Sequence, residues 1–240
     1  MTKDIACYQP QCKEKNWTKL VFDVDALWHL YTSAALLNDD VMNGCAALLS
    51  DAFLESSTVL FSMYDLAALR NQSESETIWR YTHKLKFWMY TQWVIPIHHK
   101  HQVHWTVATV NLTTKDLELF DSLTDALESE RDIQDVLRFI RMITTCARKQ
   151  GYKLPPSSMA SWTMTRLIAM PIQHNGYDCG IWVLLQICAN PLSLYSLSTR
   201  NMEFNVRINF AMASISAIDL KRSNISNTPI YQMALTYKRI

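Results

Sequence analysis

The chain has 240 residues, 49% of them hydrophobic and 19% charged, a composition that supports a sizeable folded core and excludes a disordered chain. Lys plus Arg number 23 against 22 Asp plus Glu, for a formal net charge of +1, so neither a nucleic-acid partner nor a polybasic membrane anchor is indicated. No apolar run reaches the ~18–20 residues that span a bilayer.

The first stretch, MTKDIACYQPQCKEKNW, is polar and lacks a signal-peptide core. The six cysteines, Cys7, Cys12, Cys45, Cys146, Cys179 and Cys188, are scattered. Reduced thiols in the cytoplasm or nucleus are therefore expected. Residues 39–54 carry apolar side chains at helical spacing, with Asn38 or Asp39 as the N-cap. Residues 57–63, STVLFSM, read as a strand. The polar break NQSESET follows, with Ser73 or Ser75 capping a helix that runs to about Met89. Residues 92–97, QWVIPI, read as a short buried strand. VHWTVATVNL at 103–112 and LELFDSL at 117–123 flank a polar turn and form a hairpin by pattern. Residues 127–149 are helical, with Glu128, Arg131, Asp132 and Arg138 on a solvated face and Gly151 as the stop. TMTRLIAM at 163–170 reads as a strand, 180–189 as a buried helix starting near Cys179, and about 203–217 as the last helix. No repeat or long linker divides the chain. One domain over 1–240 is expected, with an extension at 1–19, a core at 20–217 and a tail at 218–240. Helices before and after a small mixed or antiparallel sheet make the fold class α+β.

Residues 171–186, PIQHNGYDCGIWVLLQ, place a lone Cys179 at a helix start. Two of the chain's 4 glycines, Gly176 and Gly180, flank it. Gly176 is expected to take a positive φ before the cysteine, and Gly180 to let a substrate backbone come close. A nucleophilic thiolate needs a base, an orienting group and an oxyanion donor. His104 lies on the first strand of the hairpin, whose turn sets residue 104 opposite a residue near 123. Asp121 is close to that register and can hold one imidazole nitrogen. Gln173 offers an amide donor which, with the Cys179 backbone N–H, can receive an oxyanion. Asp178 is expected to point away from the thiol and bond its own turn. Cys45, Cys146 and Cys188 read as small buried hydrophobes, and Trp88, Trp162 and Trp182 as core. His98, His99, His101 and His104 form no compact set of three on a strand, so no metal is expected. They read instead as a polar loop feeding the strand.

Four stretches in this order resemble the ubiquitin-like-protein proteases, the SUMO/sentrin-specific cysteine peptidases of the adenain-like clan. They are LLNDDVMN at 36–43, WVIPIHHKHQVHW at 93–105, LELFDSL at 117–123 and PIQHNGYDCGIWV at 171–183. The resemblance covers about residues 20–215. It implies that His104 is the general base, Asp121 its orienting carboxylate, Gln173 the oxyanion donor and Cys179 the nucleophile. It also implies cleavage after the C-terminal Gly-Gly of a small modifier held in a narrow tunnel. Trp105 matches one wall of that tunnel. Leu36 stands where the family carries Trp on the other wall, and Asn38 and Asp39 match the positions that follow. Asp39 is a substrate contact by this likeness, or a helix cap. The implied partner is a ubiquitin-like modifier or its conjugates, the implied protein a monomer, and no cofactor is needed. Three other readings stand beside it: a polyprotein protease of viral or transposon type, an acetyltransferase of the same clan, and a non-catalytic modifier-binding module.

Overall fold

The side chains alternate strictly along the middle of the chain, and both sets are apolar. Trp93, Ile95 and Ile97 join Ala108, Val110, Leu117 and Leu119 in one buried cluster, while Val94 joins Trp105, Val107 and Phe120 in another. A strand apolar on both faces must be covered on both. The computed structural model describes residues 29–30, 32, 34–53, 57–154, 162–168 and 172–189. It shows five strands, β1 (Thr58–Leu60), β2 (Gln92–His99), β3 (His104–Asn111), β4 (Asp116–Phe120) and β5 (Thr163–Arg166), joined in that order into one mixed sheet. β2, β3 and β4 are antiparallel neighbours, and the two outer strands run parallel to theirs. The α+β architecture follows.

Helices α1 (Asp39–Phe53) and α5 (Cys179–Ala189) contribute Val41, Met42, Ile181 and Val183 to one face. Helices α2 (Met63–Arg70), α3 (Ser75–Thr82) and α4 (Ala126–Lys149) contribute Leu66, Ile78, Val136 and Ile140 to the other. The stripe Ile133, Val136, Leu137, Ile140, Ile143 explains why α4 is a helix and how it lies. Asp125 caps it by accepting from the N–H groups of Leu127 and Glu128, and Gly151 follows its end at φ 85°. The hairpin pairs Asn111 with Asp116 and Val107 with Phe120, where the ladder ends, so residue 123 lies past the strand and Asp121 directly follows its last residue.

Several boundaries differ from the expectation. The strand at 57–63 stops at Leu60 because Ser62 opens α2. Its Oγ accepts from the Tyr64 N–H at 3.0 Å, and Asp65 Oδ2 accepts from the Ser62 N–H at 2.7 Å. This capping box outweighs the β propensity around it. Helix α3 begins after Glu74 rather than at a serine cap, and Ser75 Oγ instead donates to Glu76. It ends at Thr82, where two 3-10 turns meet at Lys86 with φ 48°. β5 covers only 163–166, all of it exposed. Trp162 and Trp182 are buried, but Trp88 is only half-buried and stacks on Tyr152 at 3.8 Å. Cys45 is buried and Cys146 half-buried. Cys7, Cys12, the expected helix at 203–217 and the side chain of Cys188 lie outside the described residues. Among the described residues no helix is long and apolar enough to cross a membrane.

Candidate active site

The termini of three elements meet at one end of the inner strands of the sheet. Cys179 is the first residue of α5, so the positive end of the helix dipole and the first N–H groups lie at the thiol. His104 is the first residue of β3, and Asp121 follows the last residue of β4. His104 Nε2 lies 2.8 Å from Asp121 Oδ1. That bond occupies one ring nitrogen and leaves Nδ1 free of it, and the Cys179 thiol is near enough to the same imidazole to act on its charge. Cys179 Sγ is also 3.9 Å from the Val103 carbonyl oxygen. All three side chains are buried, Cys179 at 2% exposure.

The electrostatics reinforce one another. Burial pushes the His104 imidazole down. Hydrogen bonding to Asp121 and Cys179, with the charge of both, outweighs this and lifts it from 6.5 to about 9. Burial pushes the Asp121 carboxyl up, but the bond from His104 and the N–H groups of Leu123 and Asp125 hold it below its ordinary value. Those two N–H groups donate at 2.9 and 2.8 Å, so the carboxylate is aimed by its own turn. The balance favours the charged form of the imidazole.

Gln173 is buried beside this trio. Its Oε1 accepts from Ser122 Oγ at 2.7 Å, and its Nε2 donates to the Asn175 carbonyl at 2.6 Å. A backbone carbonyl can only accept, so the amide is fixed with Nε2 on the Asn175 side, and Nε2 carries a second hydrogen. Ser122 and Asn175 are supports that sequence reasoning missed, although Ser122 adjoins Asp121 in FDSL. Asn175 Oδ1 also accepts from the N–H groups of Tyr177 and Asp178, both at 3.0 Å, an Asx turn. Its Nδ2 donates to Asp178 Oδ2 at 2.8 Å. Asp178 thus bonds within its own turn.

The flanking glycines act differently from the expectation. Gly176 does not have a positive φ, and a Cβ there would meet nothing within 4 Å. Nothing in the structure requires glycine at 176. A Cβ on Gly180 would lie 3.0 Å from Met42 Sδ and 3.1 Å from Leu37. The close approach that Gly180 permits is between α5 and the start of α1, not toward an open face.

Trp105 is 1% exposed and is not an open platform. Its indole N–H donates to the Leu37 carbonyl at 3.0 Å, and the His98 ring lies parallel to it at 4.0 Å. Leu36, beside Leu37, is exposed. Asn38 caps α1 through its Oδ1, which accepts from the Val41 N–H at 2.9 Å. Asp39 is the first helical residue, and its Oδ1 lies 2.9 Å from His98 Nδ1.

The histidines and α4 require two corrections. His98 and His99 belong to β2, and only residues 100–103 form a turn. His99 is buried, with Nε2 3.0 Å from Asp132 Oδ2. Asp132 is not on a solvated face. It is 0% exposed and also accepts from Thr106 Oγ1 at 2.6 Å and Arg70 Nη2 at 2.5 Å. Among the described residues no three His, Cys, Asp or Glu side chains form a metal-holding group.

The residues between these positions also carry strain. Val103 has φ 51°, a left-handed conformation that a β-branched side chain rarely takes and that costs of order 1–3 kcal/mol. It directly precedes His104 and supplies the carbonyl facing the sulfur.

Residues 37–214 match the Ulp1 protease family, C-terminal catalytic domain. Sentrin-specific protease 5 of Mus musculus is 25% identical over 192 residues, 78% of this chain and 24% of that protein. Ubiquitin-like-specific protease ESD4 of Arabidopsis thaliana is 28% identical over 174 residues, 65% of this chain and 32% of that protein. The chain thus spans about a quarter to a third of the length of these relatives. The Ulp1 protease domain solved in complex with Smt3, the yeast ortholog of SUMO, has the same fold. Its TM-score is 0.64 at 17% identity, over 85% of this chain and 88% of that one. A SUMO protease catalytic domain from Chaetomium thermophilum gives 0.60 at 17% identity, over 77% and 74%. With the family match running through most of the chain and the fold shared, the chain belongs to the Ulp1 protease family.

Proposed function

We propose that the protein is a cysteine peptidase and isopeptidase that cleaves after the C-terminal Gly-Gly of a ubiquitin-like modifier. The observation that carries this reading is the buried imidazole of His104, bonded to Asp121 at 2.8 Å and electrostatically coupled to the thiol that opens α5. Membership of the Ulp1 family supports it. The sentrin-specific and SUMO-complexed relatives favour a SUMO-type modifier as substrate.

In this mechanism the Cys179 thiolate attacks the terminal glycine carbonyl while His104 stands protonated beside it. The oxyanion that forms is received by the second Nε2 hydrogen of Gln173 and by the Cys179 backbone N–H. His104 gives its proton to the departing lysine amine, or to the amine of a precursor extension, and a thioester remains. Neutral His104 then takes a proton from water. The resulting hydroxide equivalent attacks the thioester, and the modifier leaves with a free carboxylate as Cys179 recovers its thiolate and His104 its proton. Asp121 keeps the ring in one orientation through both halves. A thiol 2% exposed requires a thin substrate, and a tail of two glycines has no side chains to obstruct the approach. The free thiols of Cys45, Cys146 and Cys179 favour a reducing compartment, the cytoplasm or nucleus.

The test is a panel of SUMO, ubiquitin and Nedd-type tail substrates against the wild type and Cys179→Ala. The SUMO-type substrate should be cut after Gly-Gly by the wild type alone. Tight modifier binding with no cleavage of any tail would replace the enzyme reading with that of a binding module.

A further inference from the structure

Asp132 sits outside the trio but is tied to the same end of the sheet. Its Oδ2 accepts from Thr106 at 2.6 Å and lies 3.0 Å from His99 Nε2, while Oδ1 takes Arg70 Nη2. Arg70 in turn donates Nε to Asp135 at 2.8 Å and Nη1 to the His98 carbonyl at 3.3 Å. One carboxylate of α4 therefore holds the end of β2, the start of β3 and the end of α2 together. His99 and His104 are the closing pair of the β2–β3 ladder, with ring centroids 5.7 Å apart at 28°. Thr106 lies two residues from His104 on the same side of β3. Between the two histidines stands Val103 in its left-handed conformation, its carbonyl facing Cys179 Sγ. Such a residue keeps that conformation only where its surroundings impose it.

A buried ion pair is a poor source of stability, since apolar residues of equal volume commonly do as well. What hydrogen bonds add is direction. We propose that Asp132 is a positioning residue: through His99 and Thr106 it fixes the turn at 100–103, and with it the His104 ring and the Val103 carbonyl against Cys179. This rests on the reading of His104 as the base.

The test uses His99→Phe, which keeps a ring but cuts the bond to Asp132 together with the longer contacts to Thr106 Oγ1 at 3.3 Å and Glu128 Oε2 at 3.5 Å, and His99→Gln, whose side-chain amide can still donate to Asp132. On a SUMO-type tail substrate, His99→Phe lowers kcat about ten- to a hundredfold with KM within about twofold, as misplacement of a reacting group does. His99→Gln recovers most of the loss. The His104 ring resonances, followed by NMR with labelled histidine, shift or broaden in the Phe variant and return in the Gln variant. Should His99→Phe fail to fold, Thr106→Val cuts the other bond and carries the same expectation. Unchanged kcat with undisturbed His104 resonances overturns the proposal. So does a rise in KM at constant kcat, or an equal loss in the Gln variant. If the wild type cuts no tail yet the resonances respond as stated, the assigned activity fails and the positioning role stands.

Discussion

Replacing Asp121 with Asn tests the electrostatics of the site, because it keeps the shape and removes the charge. The His104 imidazole rises from 6.5 to about 9 in the folded protein, a net bias toward the charged ring of about 3 kcal/mol at ~1.4 kcal/mol per unit. Burial opposes that bias, and Asp121 and Cys179 share in producing it. With the Asp121 charge gone, the value falls by about a unit or more, since one of the two opposing partners is lost while burial remains. The alkaline limb of activity should then move from near pH 9 toward neutrality. The rate on a tail substrate should drop by roughly 10²–10⁴, because the ring is no longer held in one orientation. Stability follows with a definite sign. A group whose folded value lies above its unfolded one stabilises fully below pH 6.5 and loses that contribution as pH rises through about 9. Asp121→Asn should flatten the fall in melting temperature over that window. The assays are kcat/KM and iodoacetamide alkylation of Cys179 from pH 5 to 10, with melts alongside. An alkaline limb still near 9, or a rate within about twofold of wild type, would refute the reasoning.

Other consequences can be checked in parallel. Gln173→Ala should lower kcat by ~10²–10³ through loss of one oxyanion donor. Ser122→Ala, which only frees the amide, should cost less, and the reverse order in steady-state kinetics would reassign both residues. Gly180→Ala places a methyl 3.0–3.1 Å from Met42 and Leu37 and should destabilise by about 1–3 kcal/mol, read as a lower midpoint in urea. Gly176→Ala should leave the midpoint unchanged, since a Cβ there meets nothing. Ser62→Ala removes the cap of α2 and should cost ~1 kcal/mol in the same titration. Cys179 at 2% exposure should react faster with a small alkylating agent than with a bulky maleimide, in competition followed by peptide mass mapping.

Where local pattern and tertiary packing agree, the sequence can be read directly. The alternation of residues 93–120 decided the sheet, and the turn at 113–114 set the register of β3 against β4. The order of His104, Asp121, Gln173 and Cys179 suggested one site, and the first, second and last lie at a strand start, a strand end and a helix start, with Gln173 in the loop before that helix. What stayed hidden needed more than local pattern. Ser62 and Asp65 form a capping box inside a stretch that also suits a strand, and the cap prevails. Asp132 was assigned to solvent from its charge alone. Its place on the stripe with buried Ser129, Ile133 and Val136 was the available signal, but its partners come from β2, β3 and α2. Gly180 is small because another helix passes close by, which the sequence of its own turn does not reveal.

The central claim is best tested by a SUMO-type modifier carrying an electrophile in place of its last carboxylate, with the adduct located by mass spectrometry. The account predicts one modifier per chain, attached at Cys179, and none on Cys179→Ala or on His104→Ala at neutral pH. Attachment at Cys45 or Cys146 instead, or labelling that persists at full rate without His104, would contradict it.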